Sequence, residues 1–296
     1  MKLKKNIMDF RTIVDIPAAP WQIMPCERML FVGSCFADSM GRRFEQEKFR
    51  TVVNPYGVMY NPASILHTVE RLIAEGGMPF RADEPGTAVF TLGTNRVYVL
   101  KETGEIVDNC RKRPPRLFEE RSLGTAECAD CLRRSIGLIR RHFPAVRFVL
   151  TVSPIRYRKY GYHGSQLSKA TLLLAADSVV SAAAAPPGDG GESRDGALYY
   201  FPSYEIVNDE LRDYRFYAPD MLHPSAQAVD YIYERMAETL FAPATHEFLR
   251  AWKPIREALA HQPFHPESAE YQAFLAKARE QERELMQRVE AARRPR

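Results

Sequence analysis

The 296-residue sequence has no apolar run close to the roughly 18 residues that a membrane-spanning helix needs. It has no internal repeat. It has no strong excess of one charge: 41 Lys and Arg against 37 Asp and Glu leave a formal +4. That balance, without basic runs interleaved with aromatics, excludes the usual signature of a nucleic-acid binder. The basic start, MKLKKNIMDFRTIVDI, is followed by neither an uninterrupted apolar segment nor a small-residue cleavage site, so no signal peptide is expected. Cysteine is scarce and odd in number. Cys26, Cys35, Cys110, Cys128 and Cys131 fit reduced thiols and a cytoplasmic setting better than a disulfide framework. Cys128 and Cys131 form a lone C-x-x-C with no second pair and no histidine at zinc spacing, so two ordinary thiols on a helix are expected rather than a metal. No cofactor motif is present, and no membrane or nucleic-acid partner is expected.

What is present is an alternation of short apolar runs and amphipathic periods. Residues 1–27 are an irregular lead-in, broken by Pro17, Pro20 and Pro25. Buried strands are predicted at 29–32, 51–53, 88–92, 146–152 and 197–201. Helices are predicted after the first strand to about Phe49, from Asn61-Pro62 to Gly76, from Thr125 to Phe143, from about Leu167 to Ala185, and from Pro224 to Phe241. Asn61 is an N-cap with Pro62 at the first helical position. Residues 101–124 are basic, contain proline and lack periodicity, which predicts a long surface excursion. Residues 186–196 read as a loop by composition. Strand–helix alternation predicts a parallel sheet with helices on both faces over 28–241. Residues 245–296 are charged and helical: an appendage that packs back or engages a protein partner or a second copy.

The chemistry is organised around Met29-Leu-Phe-Val-Gly-Ser-Cys-Phe-Ala37. A buried strand ends in Gly33-Ser34, and Phe36, Met40 and Phe44 begin a helix. In open α/β sheets, sites form beyond the carboxyl ends of the strands. A helix N-terminus also favours developing negative charge. Ser34 is therefore the candidate nucleophile. Cys35 is the rival; with Ser34 in the crevice, it is expected to face the packing. Asp220 and His223 form the only D-x-x-H in the chain, a spacing that lets a carboxylate fix the imidazole tautomer. The Ser34 and Gly57 N–H groups and the Asn95 amide are candidate oxyanion donors, since each follows a predicted strand. Arg156, at the end of the 146–152 strand, is the candidate for an anionic part of the substrate. Arg111, Lys112, Arg113 and Arg116 are weaker candidates on the excursion. Tyr199, Tyr200, Phe201, Tyr204, Tyr214, Phe216 and Tyr217 make the approach to His223 aromatic, which is read chiefly as packing.

The order Ser34, Gly57, Gly93-x-Asn95, then Asp220-x-x-His223 resembles the SGNH (GDSL-like) hydrolase superfamily. Gly33-Ser-Cys-Phe-Ala37 reproduces the motif of the GSCFA family within it. Asn54-Pro-Tyr-Gly-Val-Met-Tyr-Asn-Pro62, Asn109-Cys110, Thr151-Val-Ser-Pro-Ile-Arg156, Leu167-Ser-Lys169, Tyr200-Phe-Pro-Ser-Tyr-Glu-Ile206 and Asp213-Tyr-Arg-Phe-Tyr217 are similar to that family too. The resemblance implies a flavodoxin-like three-layer α/β/α sandwich with a mostly parallel sheet. It also implies a cofactor-free serine esterase acting on a small acyl ester, such as an O-acetylated carbohydrate. Ser34 would be nucleophile, His223 base, Asp220 its orienter, and Gly57 and Asn95 oxyanion donors. Two departures stand out. Val-Gly-Ser replaces Gly-Asp-Ser, and Arg96 follows Asn95 where the superfamily often has Asp. They motivate two alternatives: an SGNH-fold scaffold without turnover, or an acyltransferase using the same triad.

Overall fold

The computed structural model describes residues 11–108, 110, 113–184 and 197–293. The strands are β1 (Arg28–Gly33), β2 (Arg50–Val53), β3 (Gly86–Leu92), β4 (Arg96–Leu100), β5 (Ile106–Val107), β6 (Phe118–Ser122), β7 (Val146–Val152) and β8 (Leu198–Tyr200). The helices are α1 (Cys35–Gln46), α2 (Pro62–Ala74), α3 (Thr125–His142), α4 (Gly161–Ala184), the short α5 (Ser203–Glu205), α6 (Ala226–Leu240), α7 (Pro243–Ala260) and α8 (Ala269–Arg293).

Five strands pair in parallel in the order β2-β1-β3-β7-β8. That order is the flavodoxin-like winding. The chain steps outward from β1 to β2 and then returns past β1 to β3, so the switch point lies between β1 and β3. Every residue of β3 is buried, as a central strand covered on both faces requires. On one face α2, α3 and α4 cover the sheet through Ile65, Leu72, Leu132, Ile136, Leu172 and Ala176. On the other, α1 and α6 do so through Phe36, Met40, Phe44, Ile232, Met236 and Leu240. The four-residue spacing of Phe36, Met40 and Phe44 places all three on one buried stripe of α1. Each contributes roughly 1.5–3 kcal/mol by leaving water. The α/β/α sandwich expected from the alternation is the fold.

The helix starts follow their caps. Asn61 Oδ1 accepts from the Ser64 N–H at 2.9 Å, with Pro62 next to it. Ser225 caps α6. Helix α4 begins six residues before the expected start, at Gly161. The 101–124 segment is not structureless: β5 and β6 flank β4 in a small antiparallel sheet. Asn109, Arg111, Lys112 and the 186–196 loop lie outside the described residues. Helices α7 and α8 pack against each other and against the start of β1 through Cys26, Phe248, Trp252, Ile255 and Leu285. Trp252 Nε1 donates to Gln46 O at 2.9 Å, and Arg50 and Lys48 pair with Glu290 and Glu282. These contacts sit at the amino ends of the strands. Among the described residues, no helix is long and apolar enough to cross a membrane.

The β1–α1 turn is the tightest joint in the sheet. Gly33 has φ +148, and an added Cβ would lie 2.2 Å from the Thr91 carbonyl oxygen. Backbone on β3 cannot yield as a flexible side chain can. Gly33→Ala should therefore destabilise the fold by more than about 2 kcal/mol in urea titration; a change under about 0.5 kcal/mol would contradict this packing.

Candidate functional site

The turn after β1 carries Ser34 and Cys35, and the structure treats these neighbours differently. Ser34 is wholly buried. Its N–H donates to Thr91 O at 3.0 Å, its Oγ accepts from the Phe36 N–H at 3.2 Å, and its Oγ lies 3.2 Å from Thr91 Oγ1. It is the N-cap of α1, with φ −65 and ψ 175. The expectation that the Ser34 hydroxyl faces the crevice does not match this placement. The one-residue offset between cap and first helical position turns Cys35 outward instead. Cys35 is partly exposed, with Sγ 3.9 Å from Tyr60 Oη.

Burial pushes the Cys35 thiol up from its ordinary value, and the negative charges of Asp38 and Asp220 push it further, against a hydrogen bond from Tyr60. Two conclusions follow. Asp220 lies within electrostatic reach of Cys35. The resting group is a thiol, so a base must take its proton when it reacts.

That base is at hand in the 220–223 loop. Asp220 Oδ2 lies 2.6 Å from His223 Nδ1, and Asp220 Oδ1 accepts the N–H groups of Leu222 and His223 at 2.8 and 3.0 Å. The two backbone donors and then the imidazole hold the Asp220 carboxyl down to about 2. It is therefore a fixed carboxylate that selects the tautomer with its proton on Nδ1. Among the described residues, His223 Nε2 makes no hydrogen bond. Met221, with φ +58, makes the loop's sharp bend.

Arg156, just past β7, clamps this loop. Its N–H donates to Leu222 O at 3.0 Å and its Nη1 to Met221 O at 3.1 Å. The guanidinium sits over the rings of Tyr162 and Tyr217, at 4.5 and 5.3 Å from their centroids. Among the described residues it pairs with no carboxylate. The aromatic approach is otherwise mostly packing, as expected. Phe201 is buried, Tyr199 Oη donates to Pro17 O, and Tyr200 Oη donates to Glu205.

The other two expected donors are spent elsewhere. The Gly57 N–H closes a turn onto Asn54 O at 2.8 Å. Asn95 is buried; its amide donates to Leu123 O at 2.7 Å and its N–H to Ser168 Oγ at 2.9 Å. In this structure the Gly57 N–H and the Asn95 amide donate to loop carbonyls. Both follow strands, but their hydrogen bonds tie down loops.

Sequence reasoning missed three residues that build the site. Asn54 Oδ1 accepts the Gly33 N–H at 2.9 Å and its amide donates to Asp38 at 2.7 Å, tying the β2 exit to the α1 turn. Lys169 is fully buried, and its ammonium group donates to Gly93 O at 2.7 Å and Ser153 O at 2.6 Å. It stitches the exits of β3 and β7 together, and burial pushes its amine down to about 7. Tyr157 packs beside Gly93, where an added Cβ would meet its hydroxyl at 2.4 Å. The motif residues Asn54 and Lys169 were legible as a pattern, but not in their roles.

The raised thiol gives a direct test. Alkylation by iodoacetamide requires thiolate. The rate at Cys35, followed by peptide mass mapping, should be slow at neutral pH and still climbing above pH 9, where an exposed cysteine has levelled off. A rate that levels below pH 8 would contradict the environment described.

The model of the GSCFA family matches residues 28–84 and 81–236, and that of the GSCFA domain protein, C-terminal domain, matches 252–292. No curated protein matches. Solved structures that are similar include a member of the lipolytic protein G-D-S-L family from Veillonella parvula, 10% identical, covering 72% of this chain and 97% of that one, TM-score 0.44. A carbohydrate esterase family 3 structure from Talaromyces cellulolyticus is 8% identical, covering 76% and 98%, TM-score 0.40. A catalytic mutant of an acetylxylan esterase from Geobacillus stearothermophilus is 11% identical, covering 75% and 97%, TM-score 0.40. None of these three scores reaches 0.5, so the assignment rests on the family models, which span most of the chain: the protein belongs to the GSCFA family.

Proposed function

We propose that this protein hydrolyses a small acyl ester through a thioester on Cys35, with His223 as base and Asp220 as its orienter. One observation carries the choice of nucleophile. Ser34 Oγ is buried and committed to capping α1, while Cys35 is partly exposed and within reach of the Asp220 charge. The Asp220–His223 pair supplies the tautomer that accepts a proton at Nε2.

The sequence of steps balances. Cys35 Sγ bonds to the acyl carbon as His223 takes the thiol proton. The tetrahedral intermediate collapses, and the alkoxide leaves with that proton. Water, deprotonated by His223, then attacks the thioester. The carboxylic acid departs and the thiol re-forms. Because the thiol is raised rather than lowered, proton transfer accompanies attack, as it does for a hydroxyl nucleophile. Ser34 acts through structure: it fixes the backbone from which Cys35 projects. Arg156 would hold an anionic part of the substrate, since among the described residues its guanidinium meets a backbone acceptor and two ring faces and no carboxylate. An O-acetylated carbohydrate is the substrate class that the family resemblance implies.

The test is p-nitrophenyl acetate hydrolysis by a variant series. Cys35→Ala and His223→Ala should lose about 10³-fold or more in kcat. Asp220→Asn should lose up to about 10⁴-fold, because it stabilises the wrong tautomer. Cys35→Ser should retain measurable turnover. Ser34→Ala should keep turnover while losing about 0.5–2 kcal/mol of stability as a lost cap. Turnover that survives Cys35→Ala but vanishes in a folded Ser34→Ala would move the nucleophile to Ser34. A wild type inert to model esters and acyl probes would sink the esterase reading.

A further inference from the structure

Acyl transfer needs hydrogen-bond donors aimed at the oxygen that becomes negative. Each donor that the sequence points to at this sheet edge makes a hydrogen bond within the fold. Ser34 N–H bonds Thr91 O, Gly57 N–H bonds Asn54 O, and the Asn95 amide bonds Leu123 O. The N–H groups of Gly93 and Thr94 both bond Tyr60 O, at 3.0 and 2.8 Å. The Tyr157 side chain differs. Among the described residues its buried hydroxyl has no hydrogen-bond partner. An unmade hydrogen bond on a buried donor is destabilising, so a protein that keeps one needs a reason.

Position supplies the reason. A Cβ built on Gly93 would lie 2.4 Å from Tyr157 Oη and 3.2 Å from Ser34 Cβ. The hydroxyl therefore lies directly over Gly93, beside the turn that presents Cys35. The tyrosine immediately follows Arg156, which holds the His223 loop. We propose that the Tyr157 hydroxyl is an oxyanion donor of this site, taking the place that an asparagine amide and a turn glycine were expected to fill. The inference rests on Cys35 as nucleophile.

The surroundings hold the ring still. The Tyr157 N–H donates to Ser165 Oγ at 3.2 Å. The Tyr60 ring meets it edge-on at 5.9 Å, and the Lys169 ammonium lies 5.1 Å from its centroid. Lys169 in turn grips Gly93 O and Ser153 O, the backbone on either side of the hydroxyl. Burial raises the phenol well above its ordinary value. It stays protonated at working pH, so its O–H is available to donate. The tetrahedral intermediate supplies it with a charged acceptor. That is the differential interaction that raises kcat rather than lowering KM. The proton stays on Tyr157 throughout, so the balance of steps given above is unchanged. Cys35 N–H, at the open start of α1, is the second donor by position.

Tyr157→Phe tests the proposal. On p-nitrophenyl acetate, kcat should fall about 10²–10³-fold with KM changed little. Iodoacetamide alkylation of Cys35, which builds no oxyanion, should proceed at the wild-type rate. The melting temperature should hold or rise, because an unsatisfied buried hydroxyl has been removed. A kcat within twofold of wild type would overturn the proposal. So would a kcat loss matched by slower alkylation and a lower melting temperature, which would mark Tyr157 as packing alone. Failure of the underlying reading looks different: Cys35→Ala would keep turnover, whatever Tyr157→Phe does.

Discussion

The β1–α1 turn is clasped to the end of β3, and the rest of the site depends on that clasp. Thr91 takes the Ser34 N–H on its carbonyl, and its Oγ1 shares a hydrogen bond with the Ser34 hydroxyl. Only glycine fits at position 33, because the β3 backbone occupies the space of a Cβ. With residue 34 pinned inward as a cap, residue 35 is the first side chain of α1 that can reach solvent. The same constraint that buries the serine presents the cysteine. It does so at the β1–β3 switch point, the place where open α/β sheets commonly form their sites.

The remaining parts reach this point through long-range ties. Asn54 joins the β2 exit to Gly33 and Asp38. Lys169 and Ser168, one turn of α4, bind Gly93, Thr94, Asn95 and Ser153. Arg156 carries the 220–223 loop on the end of β7. The C-terminal helices stand apart. They bind Gln46, Glu47, Lys48 and Arg50 at the amino ends of the strands, through Trp252, Arg256, Glu282 and Glu290. In a parallel sheet that is the edge opposite the crevice. Their described contacts support the sheet and do not line the site.

The fold was largely legible because its signals are local. Apolar runs gave β1, β3 and β7, and caps such as Asn61 with Pro62 gave helix starts. The 101–124 segment misled because β6, FEERS, is exposed at four of five positions and carries no alternation. The site was legible in its composition but not in its pointing. Asp220 and His223 were found from their spacing, since three residues suffice to close that pair. Ser34 and Cys35 differ by one position, and only the Thr91 contact, 57 residues away, decides which faces in. Gly57 and Asn95 follow strands as expected, yet Asn54 O, Leu123 O and Ser168 claim their donors. Tyr157 left no sequence signal beyond a tyrosine-rich loop, because an unpaired buried hydroxyl is a property of packing.

The central claim is that the acyl group is carried by sulfur at position 35. Acid quench of the enzyme during p-nitrophenyl acetate turnover, followed by peptide mass mapping, tests it most directly. The account predicts an acetyl adduct on the peptide containing Cys35 that neutral hydroxylamine removes and that Cys35→Ser converts to a hydroxylamine-resistant ester. An adduct in wild type that resists neutral hydroxylamine and survives Cys35→Ala would place the acyl group on Ser34 and contradict the account.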